Sequence, residues 1–309
     1  MKNSLLILMV ETLVMGLIAF IALWDPFLTG ENGIWIFVIT YIILIAIIGV
    51  QGYFFIIKPY SVKIKEMEEA IEESKKAEQI RREFVANVSH ELKTPLTSIS
   101  GFIETLQGGA VKDPEVRSHF IDIIAIETAR LKRLIEDLLV LSDIENKRDS
   151  EGAVFDVKQA IESTVETLRI ISEEKNIDIL LQLETGLTLR GSSDRFCQMM
   201  MNLIENGIKY SDPDSRVWVK AISEDNGKIL VSVADEGIGI APEHHERLFE
   251  RFYRVDKSRS KKVGGTGLGL SIVKHIAVLF GASLNVSSEP GKGTTFFIEF
   301  EKEDEVIGS

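Results

Sequence analysis

The chain has almost nothing to staple it covalently or through a metal. Its 309 residues include one cysteine, Cys197, so no disulfide closes within it and no multi-cysteine metal site forms. A lone thiol of this kind ordinarily packs as a small apolar side chain. Basic residues are outnumbered, 35 Lys and Arg against 47 Asp and Glu, for a formal charge of −12. Nucleic acid calls for a basic face, so that class of partner is excluded and the charge reads as a solvated acidic surface. No Gly-x-x-x-x-Gly-Lys-Ser/Thr loop occurs, and the glycine clusters lack the preceding strand and spaced acid of a dinucleotide fingerprint. A nucleotide site, if present, must be built another way.

What is abundant is apolar sequence at the start. Two runs, about Leu5 to Leu23 and Ile34 to Ile57, each approach the roughly 20 residues a helix needs to cross hydrocarbon. Only Trp24 to Gly33 separates them, and Pro26, Gly30 and Gly33 favour a tight turn with no room for a ligand-binding domain. Lys2, Lys58, Lys63 and Lys65 flank the pair, whereas the turn carries Asp25 and Glu31 and no Lys or Arg. That asymmetry places both termini in the cytoplasm. No small-residue cleavage site follows the first run and a second run comes at once, so residues 1–57 are expected to form an uncleaved transmembrane hairpin. Glu11 lies inside the first run, where an ionisable group is costly; it is either functional or set beside a polar defect with no signalling role.

From Lys58 to about Gln107 the chain is rich in Glu, Lys and Ala, with no Pro between Pro59 and Pro95, which predicts one long helix. Ile64, Met67, Ile71 and Ser74 follow heptad spacing, and Val85, Val88 and Leu92 resume it after Glu78 and Arg81. A dimeric coiled coil leading out of the membrane and a loose surface helix both accommodate this pattern. Residues 58–79 read as a helical signalling linker. Gly108-Gly109 and Asp113-Pro114 mark a turn, with Asp113 an N-cap and Pro114 the first helical residue. A second helix then runs to about Asn146, and Phe120, Ile123, Ile124, Leu131, Leu134, Leu138 and Leu141 form its apolar stripe. Residues 80–148 thus make an all-α hairpin, and two hairpins make a dimeric four-helix bundle.

Asp149, Ser150 and Gly152 form a polar linker, after which short apolar runs alternate with helical patterns. Strands are expected at Asp178–Leu183, Arg216–Ile222, Ile229–Ala234, Ser283–Ser287 and Thr295–Phe300, and helices at Val157–Glu173, Asp194–Lys209 and Leu270–Leu279. Residues 152–302 therefore predict an α/β sandwich, a mixed sheet under one helical layer, with 303–309 a tail.

The chemistry-bearing segments stand in a fixed order. The first is Phe84-Val-Ala-Asn-Val-Ser-His-Glu-Leu-Lys-Thr-Pro-Leu96. The chain has five histidines, and only His90 has a neighbouring carboxylate, Glu91, with a hydroxyl, Thr94, four residues on along the same helical face. Pro95 invites a kink just beyond. Next, Asn202-Leu-Ile-Glu-Asn-Gly-Ile-Lys-Tyr210 puts Asn202, Glu205, Asn206 and Lys209 along one polar face. Asp235-Glu-Gly-Ile-Gly239, Leu248-Phe-Glu-Arg-Phe-Tyr-Arg254, Gly264-Gly-Thr-Gly-Leu-Gly-Leu270 and Gly291-Lys-Gly-Thr294 follow. Each glycine pair alone is a common turn.

Together these segments resemble the H, N, G1, F, G2 and G3 boxes of bacterial sensor histidine kinases. The second domain resembles the ATP-binding fold that they share with gyrase, Hsp90 and MutL. The resemblance implies an ATP-dependent protein histidine kinase that phosphorylates its own His90, with Glu91 as base and Thr94 supporting phosphatase activity. It implies ATP and Mg²⁺, with the adenine amino group on Asp235, Mg²⁺ on Asn206, and phosphates on the backbone of Gly265, Gly267 and Gly269. Asn202, Lys209, Tyr210, Gly237, Gly239, Thr266, Leu268 and Thr294 complete the nucleotide site, Arg254 contacts phosphate, and Lys257 to Lys262 form a mobile lid. Phe249, Phe252 and Tyr253 fit core packing at least as well as nucleotide stacking and are left out of the site. The implied partners are a second copy of the chain and the receiver domain of a response regulator. The segment Arg251 to Ile276 looks most like the phosphate- and cell-wall-responsive kinases. The short membrane hairpin instead resembles intramembrane-sensing kinases of the bacterial cytoplasmic membrane, which implies an accessory membrane protein or transporter, or envelope stress, as the input. An ATPase of the gyrase or chaperone type, or a phosphatase or scaffold without kinase activity, is the rival reading.

Overall fold

The structure, a computed structural model, describes residues 12, 14, 16–17, 33–54, 58–146, 152–256 and 265–301. By internal contacts the chain divides into two units, Met1–Glu83 and Phe84–Ser309.

In the first unit, helix α1 (Gly33–Gly52) exposes Trp35, Ile39, Ile42, Ile43, Ile45 and Val50. A Cβ placed on Gly16 would lie 2.9 Å from Leu44 Cδ1, so the absence of a side chain at this position allows a close approach to α1. Two membrane-crossing helices were expected. Among the described residues no helix is long and apolar enough to cross a membrane, and only four positions of the first run are described. Glu11, most of the turn up to Gly33, the linker residues Asp149 and Ser150, the basic stretch Lys257 to Lys262 and the tail lie outside the described residues. Helix α2 (Lys58–Gln107) begins in this unit. Ile64, Met67 and Ile71 stand exposed on it, between surface pairs such as Lys65–Glu69 and Lys76–Glu72 at i,i+4 spacing.

In the second unit α2 continues through Pro95 to Gln107. Gly109, at φ 119°, begins the reversal, and a 3₁₀ turn (Ala110–Lys112) leads to helix α3 (Pro114–Asn146). Asp113 caps α3 as expected, its Oδ1 accepting from the Glu115 and Val116 amides at 3.0 and 3.2 Å. Phe102 of α2 and Phe120 of α3 pack with ring centroids 4.9 Å apart.

The α/β part follows as β1 (Val154–Asp156), α4 (Val157–Glu174), β2 (Asp178–Leu183), β3 (Thr188–Arg190), α5 (Ser193–Tyr210), β4 (Arg216–Ser223), β5 (Lys228–Asp235), a 3₁₀ turn (Pro242–Arg247), α6 (Gly269–Leu279), β6 (Ser283–Glu289) and β7 (Gly293–Glu301). The main sheet runs β2-β4-β5-β7-β6, parallel between β2 and β4 and antiparallel elsewhere. Alternate residues reach the core: Val217, Val219 and Ala221 on β4, Ile229, Val231 and Val233 on β5, Phe296, Ile298 and Phe300 on β7. Helices α4, α5 and α6 cover that face, led by Phe196, Met199, Met200, Leu203 and Ile204 of α5, all buried. Each such side chain contributes about 1.5–3 kcal/mol by leaving water. Leu134, Leu141 and Ile144 of α3 join the same cluster, so the helical hairpin and the α/β layer share one core. The mixed sheet and single helical layer match the expectation. The antiparallel ribbon of β1 and β3 was not foreseen; strands of three residues carry too little alternation to be read.

Candidate functional site

A cavity of about 280 Å³ opens at the end of β5, between α5 and the segment that enters α6. Its inner end is set by Asp235, the last residue of β5. Asp235 Oδ1 accepts from the Gly237 amide at 2.8 Å and the Thr294 amide at 3.2 Å. Burial nevertheless dominates and pushes its pKa up to about 6 against those two hydrogen bonds. The turn after β5 lies flat on the β6–β7 turn because two positions there lack side chains. A Cβ on Gly239 would fall 1.9 Å from Glu289 O, and one on Gly293 1.9 Å from Asp235 O, both at positive φ.

Helix α5 turns its polar stripe into the cavity, bringing Asn202, Glu205, Asn206 and Lys209 together as its spacing suggested, with Tyr210 beside them. Lys209 Nζ lies 2.7 Å from Glu205 Oε1. Gly207, on the opposite side of the helix, allows close packing: a Cβ there would meet Val217 Cγ2 at 3.2 Å and Asp235 Cβ at 3.5 Å.

Gly265, Thr266, Gly267 and Gly269 form the opposite wall and lead into the N-terminus of α6, where free amides favour anions. Gly267 adopts φ +76°, and a Cβ on it would lie 3.0 Å from Phe252 Cα. Phe252, itself at φ 63°, donates its amide to Gly267 O at 2.8 Å. Leu268 is wholly buried and anchors the loop from below. Arg254 crosses this wall, its Nη2 donating to Thr266 O at 2.8 Å and to Glu91 Oε2 at 3.1 Å. Arg254 Nε and Asn202 Nδ2 are buried with no hydrogen-bond partner, two donors that a polyanionic or otherwise oxygen-rich ligand would satisfy.

His90 stands on α2 with its side chain 77% exposed and its Nδ1 4.0 Å from Glu91 Oε1. Glu91 Oε2 accepts from Arg130 Nη2 at 2.9 Å as well as from Arg254. The carboxylate expected to act as base for the imidazole therefore also ties α3 and the loop before α6 to α2. Thr94 Oγ1 donates to His90 O at 3.1 Å, closing the helical turn that carries the histidine. Arg251 stacks over Phe84 at 4.9 Å, and Phe84 and Phe252 pack at 6.0 Å.

Most expected nucleotide residues line the cavity. Gly237 and Leu268 do not, and instead hold residues that do. Tyr253, left out of the expected site, also lines it, with its hydroxyl 2.7 Å from His244 Nδ1, while Phe249 packs on Phe296. The unforeseen wall is α3: Arg133, Glu136 and Asp137 face the cavity, and Asp137 Oδ2 accepts from Thr266 Oγ1 at 2.6 Å. Burial raises the pKa of Asp137, opposed by that hydroxyl and by Lys209. Nothing in the spacing of α3 singles out these three residues.

Residues 80–147 match the family described as the His Kinase A (phospho-acceptor) domain. Residues 191–304 match the histidine kinase-, DNA gyrase B-, and HSP90-like ATPase. The chain is 39% identical over 225 residues to the phosphate regulon sensor protein PhoR of Pseudomonas aeruginosa, covering 72% of this chain and 50% of that protein. It is 36% identical over 239 residues to the sensor histidine kinase WalK of Bacillus subtilis, covering 76% of this chain and 39% of that protein. It thus spans half or less of the length of these relatives. The crystal structure of histidine kinase ThkA in complex with response regulator protein TrrA is similar with a TM-score of 0.61 and 26% identity, over 77% of this chain and 67% of that one.

Proposed function

The chain belongs to the sensor histidine kinases, and we propose that it transfers the γ-phosphoryl group of ATP to His90 and from there to an aspartate of a response regulator. The observation that carries this reading is the bridge made by Arg254, which touches both the wall of the glycine-rich cavity and the carboxylate beside His90. Asp235 accepts from the adenine amino group, the loop Gly265–Gly269 and Lys209 hold phosphates, and the unpartnered Asn202 Nδ2 and Arg254 Nε supply further donors. Among the described residues no three His, Cys, Asp or Glu side chains could hold a metal by themselves. A Mg²⁺ ion here would be held by Asn206 together with phosphate oxygens, as that ion prefers, and would neutralise charge on them.

Glu91 Oε1 faces Nδ1 of His90, which leaves Nε2 to attack the γ-phosphorus as the bond to the bridging oxygen breaks and ADP leaves. Glu91 draws the ring proton. Thr94, whose hydroxyl sits one turn beyond, supports hydrolysis of the phosphorylated regulator by orienting a water that attacks phosphorus, releasing inorganic phosphate and the free aspartate. The complex formed by ThkA supports a response regulator as the partner.

The domains are read as hairpin 1–57, linker 58–79, phosphotransfer 80–148 and ATP-binding 152–302. The exposed apolar residues Leu96, Ile103, Ile121, Ile126 and Leu139 of the helical hairpin support a homodimeric four-helix bundle. Anchoring in the bacterial cytoplasmic membrane, with catalytic domains cytoplasmic and an accessory membrane protein as input, is supported by the two apolar runs, the Lys asymmetry and the approach of Gly16 to Leu44. Incubating the full chain in detergent with γ-labelled ATP tests the activity. Acid-labile label is expected on the wild type and on neither His90→Gln nor Asn206→Asp, and undiminished labelling of His90→Gln would refute the assignment.

A further inference from the structure

The loop that forms the phosphate wall is held by a group from outside the ATP-binding domain. Thr266 Oγ1 donates to Asp137 Oδ2 at 2.6 Å, and Asp137 stands in the C-terminal third of α3, in the phosphotransfer hairpin. Its carboxylate lines the same cavity as Asn206, Lys209 and Arg254. It is largely enclosed: burial raises its pKa, Glu205 acts in the same direction, and Thr266, Lys209 and Arg133 act against it. An anion of the protein thus sits where the chain gathers a hydroxyl donor and its cations, the groups that phosphate oxygens seek.

This end of the cavity is also the one from which Arg254 reaches the hairpin beside the phosphoacceptor. Arg254 joins Thr266 O to Glu91, next to His90. If the cavity is an ATP site, the phosphate that must reach His90 is the terminal one, and it belongs at this end. Two anions cannot share these partners without repulsion.

Resting on the reading of the cavity as the ATP site, we propose that Asp137 is a nucleotide-sensing positioning residue. With no terminal phosphate present, it ties the loop to α3 through Thr266; the γ-phosphate of ATP displaces it, and ADP does not. One side chain then couples nucleotide occupancy to release of the ATP-binding domain from the helical hairpin, and the loop re-engages once transfer has left ADP behind.

The test compares the full chain in detergent with Asp137→Asn, which keeps the shape and removes the charge, and Asp137→Ala, which also removes the hydrogen bond. Calorimetric binding of a non-hydrolysable ATP analogue with Mg²⁺ is expected to tighten roughly tenfold in both variants, while ADP affinity changes less than about twofold. Amide exchange supplies a second readout. In the wild type the analogue, but not ADP, is expected to raise exchange in α3 around Asp137 and in the loop around Thr266; in Asp137→Ala, exchange is already raised without nucleotide. An unchanged ratio of ATP-analogue to ADP affinity overturns the proposal. So does weaker analogue binding, which a cation-holding role for Asp137 would give. A wild type that binds neither nucleotide refutes the ATP-site reading itself, and is thereby distinguishable from failure of the latch alone.

Discussion

The nucleotide-free site is expected to sacrifice stability for an acceptor, and Asp235→Asn measures how much. In the folded chain burial moves the Asp235 pKa from its ordinary 3.8 to about 6. A carboxyl whose folded pKa is raised binds its proton more tightly when folded. The stability this contributes is complete below 3.8 and is lost as pH rises through about 6. A rise of this size corresponds to about 3 kcal/mol, the cost at neutral pH of keeping a buried charge that two amides only partly solvate. By pH 5 about half of that cost is gone. Asparagine has nearly the same shape, and its Oδ1 can still accept from Gly237 and Thr294, but its new N–H groups return about 1 kcal/mol or more of penalty. The variant should therefore be more stable than the wild type by about 1–2 kcal/mol at pH 7.5.

For a domain of this size that corresponds to a rise in melting temperature of roughly 4 °C, read by calorimetry of the full chain without nucleotide. The offset should shrink at pH 5. Binding of the ATP analogue should fall about 100-fold, because an amide N–H would then confront the adenine amino group in a closed pocket. An offset that is the same at both pH values, or a variant that melts lower at both, would refute the account of the shift.

Gly239→Ala puts a methyl group into the space of Glu289 O at a backbone angle that alanine resists; a loss of about 3 kcal/mol or more in urea unfolding is expected, with nucleotide binding lost alongside. Arg254→Ala removes donors to both Thr266 O and Glu91. Analogue affinity should drop roughly tenfold, and the rate of His90 labelling at saturating ATP should drop as well; unchanged labelling there would mean that the bridge plays no part in transfer.

How far the sequence alone could reach follows from what a linear pattern encodes. The alternation Val217, Val219, Ala221 names a strand and its buried face, and Asn202, Glu205, Asn206 and Lys209 name the polar face of a helix, because both periodicities are properties of one element. The glycines are legible for a similar reason: Gly239 and Gly267 are needed for backbone geometry at positive φ. Contacts made by approach of distant segments leave no such trace. Asp137 gains its chemistry from Thr266, which lies 129 residues later, and nothing in the spacing of α3 separates it from exposed neighbours such as Lys132. Adjacency tells only part of the account at Glu91. Successive residues on a helix diverge, so one oxygen lies 4.0 Å from the His90 ring while the other is held by Arg130 and Arg254 from two other segments. The residues that would bind nucleotide are readable one by one; the contacts by which Arg254, Glu91 and Asp137 join the binding cavity to the helical hairpin are not. A substitution at Glu91 accordingly acts on the imidazole and on the phosphate wall at once, and separating the two requires Arg254 and Asp137 to be varied with it.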